Sequence, residues 1–130
     1  MSDISDAADL IETAREALLS GLLPSLPKEC RYVGLMVANA MAIAAREHRF
    51  GSDTAKSEAA RLRNRLAGVG WPVPQSAGAS PDLTALREAT AAAIRAGHFD
   101  APERCASLAA DLLHTACDWV AISNPKALRL

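Results

Sequence analysis

Apolar residues recur along most of this chain at helical spacing, so that each segment has an apolar face. In the first segment, which runs from about Ser5 into Leu19, residues three and four positions apart form an apolar stripe. Its members are Leu10, Ile11, Ala14, Leu18 and Leu22. Gly21, Pro24 and Pro27 follow, and glycine and proline interrupt helices. We therefore predict a first helix followed by a short loop.

The second segment is apolar on all sides. The stretch VGLMVANAMAIAAREHRFG begins at Val33, and Asn39 is the only conventionally polar residue in it up to Ala45. A helix that is apolar all round is normally buried. We therefore predict that this segment, from about Lys28 to Arg49, is a central buried helix. Gly51 suits a left-handed cap at its carboxyl end.

Asn39 is the one amide in this apolar segment, and its burial would require a hydrogen-bond partner. A buried amide without one costs about 1–3 kcal/mol. We predict that Asn39 and Asn124 are buried polar residues with a structural role. The predicted partner of Asn39 is the backbone near Asn124-Pro125, where proline leaves a carbonyl unpaired. The alternative is that Asn39 faces a ligand, together with Arg46 further along the same face.

A third helical segment begins at Ser52 or Asp53, either of which can cap a helix. Ala59, Leu62 and Leu66 give it an inward face. The residues from Gly68 to Ser80, GVGWPVPQSAGAS, are rich in glycine and proline and predict a long irregular loop. Trp71 in this loop would anchor a partner if it were exposed, or else cover the end of the bundle.

Two further helices complete the predicted fold. Ser80-Pro81 is typical of an N-cap followed by the first helical residue, and Asp100 with Glu103 resembles a capping box. The last helix ends before Pro125, because the residue before proline avoids helical geometry. An alanine-rich sequence with few aromatic residues also favours helices over strands. We predict an all-α, single-domain bundle of about five helices over residues 1–130, built around the buried second helix.

Charge and composition exclude several classes of partner. The chain has 130 residues, 14 basic and 15 acidic, so its net charge of −1 would not attract nucleic acid or an anionic membrane. The acidic start MSDISDAADLIE does not resemble a signal peptide, and the apolar run from Val33 is shorter than the roughly 20 residues that span a bilayer. Cys30, Cys105 and Cys117 lack a CxxC pair, which predicts reduced thiols. We expect a soluble cytoplasmic protein.

The strongest candidate for chemistry is a carboxylate–histidine cluster. Asp111, His114 and Asp118 lie at i, i+3 and i+7 and therefore share one helical face, where they could hold a metal or act as an acid–base pair. Helical metal sites, however, draw such ligands from several helices. A solvated face with a local ion pair is the alternative that we favour. No nucleophile elbow, P-loop, GxGxxG or HExxH motif occurs. We therefore expect no catalytic residue, no metal and no cofactor.

Candidate binding residues come from the charged end of the second helix and from the loop. Arg46 and Arg49 lie within the run REHR, and arginine suits recognition of carboxylates or phosphates at an interface. A solvated helix face is the alternative. Together with Trp71, these two arginines are the predicted partner-binding or ligand-binding residues.

Four stretches together resemble a known family: DAADLIETAREALL, VANAMAIAAREHRFG, LREATAAAIRAGHFD and VAISNPKAL. The VANA-A-I-RE pattern falls on Val37, Ala38, Asn39, Ala40, Ala42, Ile43, Arg46 and Glu47. The IRAG-FD pattern falls on Ile94, Arg95, Ala96, Gly97, Phe99 and Asp100, and the NP pattern on Asn124 and Pro125. They resemble a small bacterial domain family of unknown function, found beside aminoglycoside-phosphotransferase-like kinases and acyl-CoA dehydrogenase-like enzymes.

The resemblance implies a non-catalytic accessory subunit. Its expected partner is a kinase that phosphorylates 4-hydroxyacyl-CoA in levulinate-type catabolism, with an acyl-CoA dehydrogenase-like enzyme as a further candidate partner. The first alternative is a helical domain that associates with itself as a homo-oligomer. The second is a metal-binding enzyme that uses Asp111, His114 and Asp118.

Overall fold

The computed structural model describes residues 6–76, 78 and 80–129 of the protein. Its α-helices are α1 (Ala7–Ala17), α2 (Lys28–Gly68), α3 (Leu83–Arg95) and α4 (Pro102–Ser123). A π-helical turn at Leu18–Leu22 and a 3-10 turn at Leu23–Ser25 lie between α1 and α2, and a 3-10 turn at Pro125–Leu128 follows α4. Within the described ranges no strand occurs, which confirms the predicted all-α class. None of the helices described is both long and apolar enough to cross a membrane.

The described residues contain four α-helices instead of about five, because the predicted second and third helices are one. Helix α2 runs for 41 residues and passes without interruption through Gly51, Ser52 and Asp53. Gly51 does not have the positive φ that a left-handed cap requires, so the predicted cap is wrong. A glycine inside a helix costs only about 1 kcal/mol relative to alanine, and alanine-rich helical sequence on both sides outweighs that cost.

The chain forms two compact units, which we treat separately. Unit 1 comprises Met1–Gly51 and Ile122–Leu130, and unit 2 comprises Ser52–Ala121. Unit 1 therefore contains α1, the first part of α2 and the end of α4, whereas unit 2 contains α3 and the remaining parts of α2 and α4. That residues 1–130 form a single domain stays a prediction.

Unit 2 has a core of large apolar side chains. Its buried cluster consists of Ala59, Leu62, Leu66, Leu86, Ala93, Phe99 and Leu108. The inward face that the sequence predicted for Ala59, Leu62 and Leu66 is confirmed. Leu66 and Leu86 are the largest side chains that are fully buried among the described residues. Full burial of a leucine contributes about 1.5–3 kcal/mol, so this cluster supplies much of the stability of unit 2.

A buried carboxylate joins the three helices of unit 2. Glu58 of α2 is only 4% exposed. Arg87 of α3 donates two hydrogen bonds to it, at 2.6 Å and 2.7 Å, and the indole N–H of Trp119 of α4 donates a third at 2.7 Å. The hydrogen bonds from Arg87 lower the pKa of Glu58, and the bond from Trp119 lowers it further. Glu58 is therefore held as a carboxylate at neutral pH.

Two glycines end helices in left-handed conformations. Helix α2 closes at Gly70 (φ 73°), where the Trp71 N–H donates to the Leu66 carbonyl at 3.0 Å and the Gly70 N–H donates to the Ala67 carbonyl at 3.1 Å. These two bonds define a Schellman motif. The same motif closes α3 at Gly97 (φ 84°), where the His98 N–H donates to the Ala93 carbonyl at 3.1 Å and the Gly97 N–H donates to the Ile94 carbonyl at 3.0 Å. The loop after α2 therefore begins close to Gly68, as the sequence predicted.

The cap of α3 differs from the prediction. Asp82, rather than Ser80, is the N-cap: its carboxylate accepts a hydrogen bond of 3.0 Å from the Ala85 N–H. The hydroxyl of Ser76 in turn accepts a hydrogen bond from the Asp82 N–H at 3.0 Å. Both Ser80 and Asp82 are residue types that cap helices. Which of them becomes the N-cap depends on where the loop ends and the first unpaired helical N–H groups begin.

Replacing Glu58 by glutamine should lower the free energy of unfolding at pH 7 by about 2–3 kcal/mol, because Arg87 loses its charged acceptor. The lowered pKa of Glu58 means that its contribution is complete above the unfolded pKa of about 4.3 and is lost as the pH falls through the folded value. The difference in stability between wild type and Glu58→Gln should therefore shrink in acid. Urea unfolding at several pH values measures it.

The control for this experiment is Glu88→Gln, because Glu88 is an exposed carboxylate next to Arg87 in α3. Its effect on the free energy of unfolding should be within about 0.5 kcal/mol at every pH. A Glu58→Gln difference that stayed constant from neutral to acidic pH would contradict the assigned role of the carboxylate.

Alanine should have opposite effects at Gly51, inside α2, and at Gly70, just after its end. Gly51→Ala should raise the free energy of unfolding by about 0.5–1 kcal/mol, since an interior helical site favours alanine. The added Cβ would lie 3.2 Å from Glu47 Cγ, a flexible side chain that can move. Gly70→Ala should lower it by about 1–2 kcal/mol because of the positive φ. Urea unfolding measures both changes in the free energy of unfolding. A destabilising effect of Gly51→Ala would support the left-handed cap at Gly51 that the sequence predicted.

Candidate protein-interaction surface

The buried apolar residues of unit 1 are few and mostly small. Among the residues described they are Ala8 of α1, Ala38 and Ala45 of α2, and Ile122 near the end of α4. Alanine buries much less apolar surface than leucine, so this core contributes much less stability than that of unit 2. Small residues do allow helices to approach closely, and Gly34 has the Leu23 Cδ1 atom only 2.9 Å from where a Cβ would be. Unit 1 is therefore closely packed on one side of α2 but has little interior.

The opposite side of α2 is exposed and apolar, and we call it the outer face of α2. Its large apolar side chains are between 51% and 72% exposed, and they are Tyr32, Val33, Leu35, Met36 and Phe50. The predicted burial of this helix is therefore wrong for its first half. A helix that is apolar all round is buried only if neighbours cover every side. The described residues of unit 1 cover one side of α2 and leave the other open.

A second apolar feature adjoins the outer face. An open groove of about 470 Å³ lies between α1 and α2, and we call it the α1–α2 groove. It is lined by Leu10, Ile11, Ala14, Val37, Ala40, Met41 and Ala44. Leu10 is 60% exposed at its edge. An exposed apolar groove beside an exposed apolar helix face is a candidate binding surface for another molecule.

Asn39 lies within the outer face of α2 and is exposed, so its predicted burial is wrong. It follows Met36 by three residues and precedes Ile43 by four, which places it in line with both. Asn124 is also exposed, contrary to prediction. The physical reason is that the surface around Asn39 has no neighbour among the described residues of unit 1, so its amide stays accessible to solvent or to another molecule.

The contact that the sequence predicted for Asn39 is made by Arg46. The Arg46 Nε donates a hydrogen bond of 2.7 Å to the carbonyl of Ile122, in the last turn of α4. The last carbonyls of a helix have no partner inside the helix, and a nearby arginine both bonds them and favours the negative end of the helix dipole. The prediction of a backbone acceptor close to Asn124-Pro125 was sound, but the donor is Arg46.

Arg49 connects α1 to α2. It donates to the carboxylate of Asp9 at 2.7 Å and to that of Glu12, and beside it the imidazole of His48 lies 2.8 Å from the Asp6 carboxylate. The hydrogen bond from Arg49 lowers the pKa of Glu12. Arg46 and Arg49 thus both make contacts within unit 1. Their predicted contact with a partner or ligand stays a prediction.

Trp71 covers the buried cluster of unit 2. Its ring is half-buried against that cluster and meets the His98 ring edge-on, with centroids 5.0 Å apart and an interplanar angle of 79°. The Nδ1 atom of His98 lies 3.3 Å from the Val69 carbonyl. This contact links the turn after α3 to the start of the loop after α2. This geometry favours the covering role of Trp71 over that of an exposed anchor.

The carboxylates of the predicted metal cluster are paired with arginines of α2. Arg65 Nε lies 2.5 Å from the Asp111 carboxylate, and Arg61 Nη1 lies 3.0 Å from that of Asp118. His114 Nε2 lies 3.7 Å from Asp118, and this pair is ionic only when the imidazole is protonated. The predicted solvated face is wrong for the two carboxylates, because Asp111 and Asp118 are half-buried and face the arginines of α2. In the described part of the chain no group of three potential ligands is arranged to hold a metal. These carboxylates connect α2 and α4 within unit 2.

Sequence comparison supports the assignment to a family. A family model described as a domain of unknown function (DUF6285) matches residues 24–127 of the chain. No curated protein and no solved structure matches it. The matched residues include the outer face of α2 and all of unit 2, but they omit α1, which lines one side of the α1–α2 groove.

The roles of Arg46 and Asn39 can be separated by unfolding measurements. Arg46→Ala should lower the free energy of unfolding by about 1 kcal/mol, because the Ile122 carbonyl and the end of α4 lose a charged donor. Asn39→Ala should change it by less than about 0.5 kcal/mol, since the amide is exposed. Urea unfolding at low protein concentration tests both. A larger loss for Asn39→Ala than for Arg46→Ala would restore the structural role first predicted for the amide.

Proposed function

This chain belongs to the DUF6285 family of domains of unknown function, and we propose that it is a non-catalytic accessory subunit that binds an enzyme. The proposed partner is an aminoglycoside-phosphotransferase-like kinase that acts on a hydroxyacyl-CoA in acyl-CoA catabolism, as the sequence resemblance implies. The observation that supports a binding role most directly is the exposed apolar surface of unit 1, formed by the outer face of α2 and the α1–α2 groove.

The α1–α2 groove is the proposed docking site for the kinase. It combines a concave shape with an almost wholly apolar lining, the combination that an anchor side chain of a partner requires. Leu10 on one side and Val37 on the other are 60% and 45% exposed, so both would lose solvent contact on binding. Removal of apolar surface from water is the main favourable term in most protein association.

Charge is consistent with a protein partner. With a net charge of −1 the chain has no excess of basic residues with which to hold nucleic acid. Several arginines that could serve an anionic ligand are paired inside the chain, among them Arg49, Arg61, Arg65 and Arg87. The large exposed apolar side chains of unit 1 suit a protein partner.

The proposed effect on the kinase is a shift of its conformational equilibrium. A subunit without chemistry of its own can change a reaction rate only if it binds one conformation of the enzyme more tightly than another. Ordering a lid or completing the acyl-CoA site of the kinase would each be such a change. The kinase rate should therefore rise when the two chains are mixed.

The test is to co-express the chain with an aminoglycoside-phosphotransferase-like kinase from the same organism and to measure co-elution and kinase rate. Wild type should elute with the kinase and raise its rate. Val37→Asp should weaken binding at least tenfold, because it would bury an unpaired carboxylate in an apolar contact. Separate elution of the wild-type chain, without any change of kinase rate on mixing, would sink the proposal.

The matched control is Leu113→Asp. Leu113 is 67% exposed on α4 in unit 2 and lines neither the groove nor the outer face of α2. Like Val37→Asp, the Leu113→Asp substitution replaces an apolar side chain by an acidic one at an exposed helical site. Binding and rate stimulation should match those of wild type, and an equal loss with Leu113→Asp would show that the groove is not the docking site.

A further inference from the structure

The outer face of α2 carries a narrow line of side chains, which we call the seam. From Tyr32 the seam continues at Met36, Asn39, Ile43 and Phe50, which lie within about 60° of one another at 100° per residue. The residue three positions after Ile43 is Arg46, which lies at the edge of the seam, so the line is that of a straight helix and not a complete coiled-coil repeat. The buried residues Ala38 and Ala45 lie on the other side of α2. Tyr32, Met36, Asn39 and Phe50 are exposed, whereas Ile43 is half-buried and Arg46 contacts the Ile122 carbonyl, so unit 1 covers the seam only in part.

The area of this surface fits an interface. The five large apolar side chains of the outer face together expose on the order of 500 Å², about two thirds of the ~800 Å² per partner that a standard interface buries. Tyr32 alone is 72% exposed, and aromatic residues are enriched at the centres of interfaces. Two copies of the same face would together bury about 1,000 Å², the lower limit for a specific interface.

Charges flank the seam in a pattern that selects both the partner and its direction. Lys28 and Arg46 are 18 residues apart, which is five helical turns, and they lie along one edge of the seam. Glu29 and Glu47 have the same separation and lie along the other edge. In a parallel two-fold pair, the basic edge of one copy meets the acidic edge of the other at the same height. An antiparallel pair would bring like charges together.

Asn39 fits the same arrangement. In a parallel pair each residue of the seam meets its own counterpart, so Asn39 would face Asn39 of the second copy. An amide has both donors and acceptors, and two amides can therefore satisfy each other. A single asparagine in an apolar seam also fixes the register of the two helices, since any slip would leave it against apolar side chains.

We infer that the outer face of α2 is an interface between two copies of this chain, with their α2 helices parallel and Asn39 opposite Asn39. This goes beyond the proposed kinase binding and uses a different surface, because the α1–α2 groove lies on the side of α2 that faces α1. A dimer would thus leave each groove open. The kinase complex would then contain two copies of each chain.

The first test is the mass of the chain alone, measured by sedimentation over a concentration series. Wild type should have twice the mass of one chain. Met36→Asp should be monomeric with unchanged helicity by circular dichroism, and Leu113→Asp should stay dimeric. A monomeric wild type, or a dimer that Met36→Asp leaves intact, would overturn the inference. Because Val37→Asp probes the groove, loss of kinase binding and loss of the dimer are distinguishable.

Charge reversal tests the direction of the helices. Lys28→Glu and Glu29→Lys should each weaken the dimer by about fivefold, the size expected for an exposed ion pair that occurs twice by symmetry. The double variant Lys28→Glu with Glu29→Lys should recover the affinity of wild type, because both edges are then reversed. In an antiparallel pair Lys28→Glu would instead tighten the dimer, and that outcome would refute the parallel arrangement.

Cross-linking tests the register. In a background of Cys30→Ser, Cys105→Ser and Cys117→Ser, the substitution Asn39→Cys should form a disulfide between two chains under mild oxidation. Ala44→Cys is the control, because Ala44 is exposed on α2 but lies off the seam. Cross-linking at Ala44→Cys and not at Asn39→Cys, or at neither position, would contradict the proposed interface.

Discussion

The carboxylate of Glu58 is the interaction on which unit 2 depends. A buried charge is tolerated only when hydrogen bonds replace the water it has lost, and Arg87 and Trp119 supply these bonds from two other helices. The position of α3 and that of α4 in unit 2 are therefore set against the same atoms of α2. Further along α2, Arg61 and Arg65 form ion pairs with Asp118 and Asp111 of α4. An apolar stripe and an ionic stripe run side by side on α2, and together they determine how the helices pack.

Unit 1 is built on the opposite principle. Its interior consists chiefly of alanine, and polar contacts at the helix ends hold α1 and the last turn of α4 against α2. Such contacts orient helices but contribute less free energy than burial of large apolar side chains. Several large apolar side chains of unit 1, among them Tyr32, Met36 and Phe50, are instead exposed. A unit with this distribution gains most of its burial by binding, which is why an accessory role and a dimer are both reasonable for it.

The candidate site was only partly predictable, and Asn39 shows why. Its position in an apolar helix was evident, but an amide in such a helix is equally compatible with burial inside the chain and with an interface between chains. The backbone acceptor near Asn124-Pro125 was predictable, because helix ends always leave carbonyls unpaired. Which side chain reaches that acceptor depends on how α4 lies against α2, and Arg46 is the one that does. Glu58 was missed because a lone acid among alanines has the same pattern as an exposed one.

Helix-forming residues, their apolar spacing and the glycines after α2 and α3 act locally, and for this reason the sequence by itself determined the all-α class, the helical segments and the loop near Gly68. The resemblance to a family of unknown function was likewise readable from short motifs. Only the tertiary structure decided that Gly51 lies inside one long helix, that Asp82 caps α3 and that the outer face of α2 stays exposed. Each of these depends on which neighbours are present, and a local pattern of apolar and polar residues does not specify its neighbours.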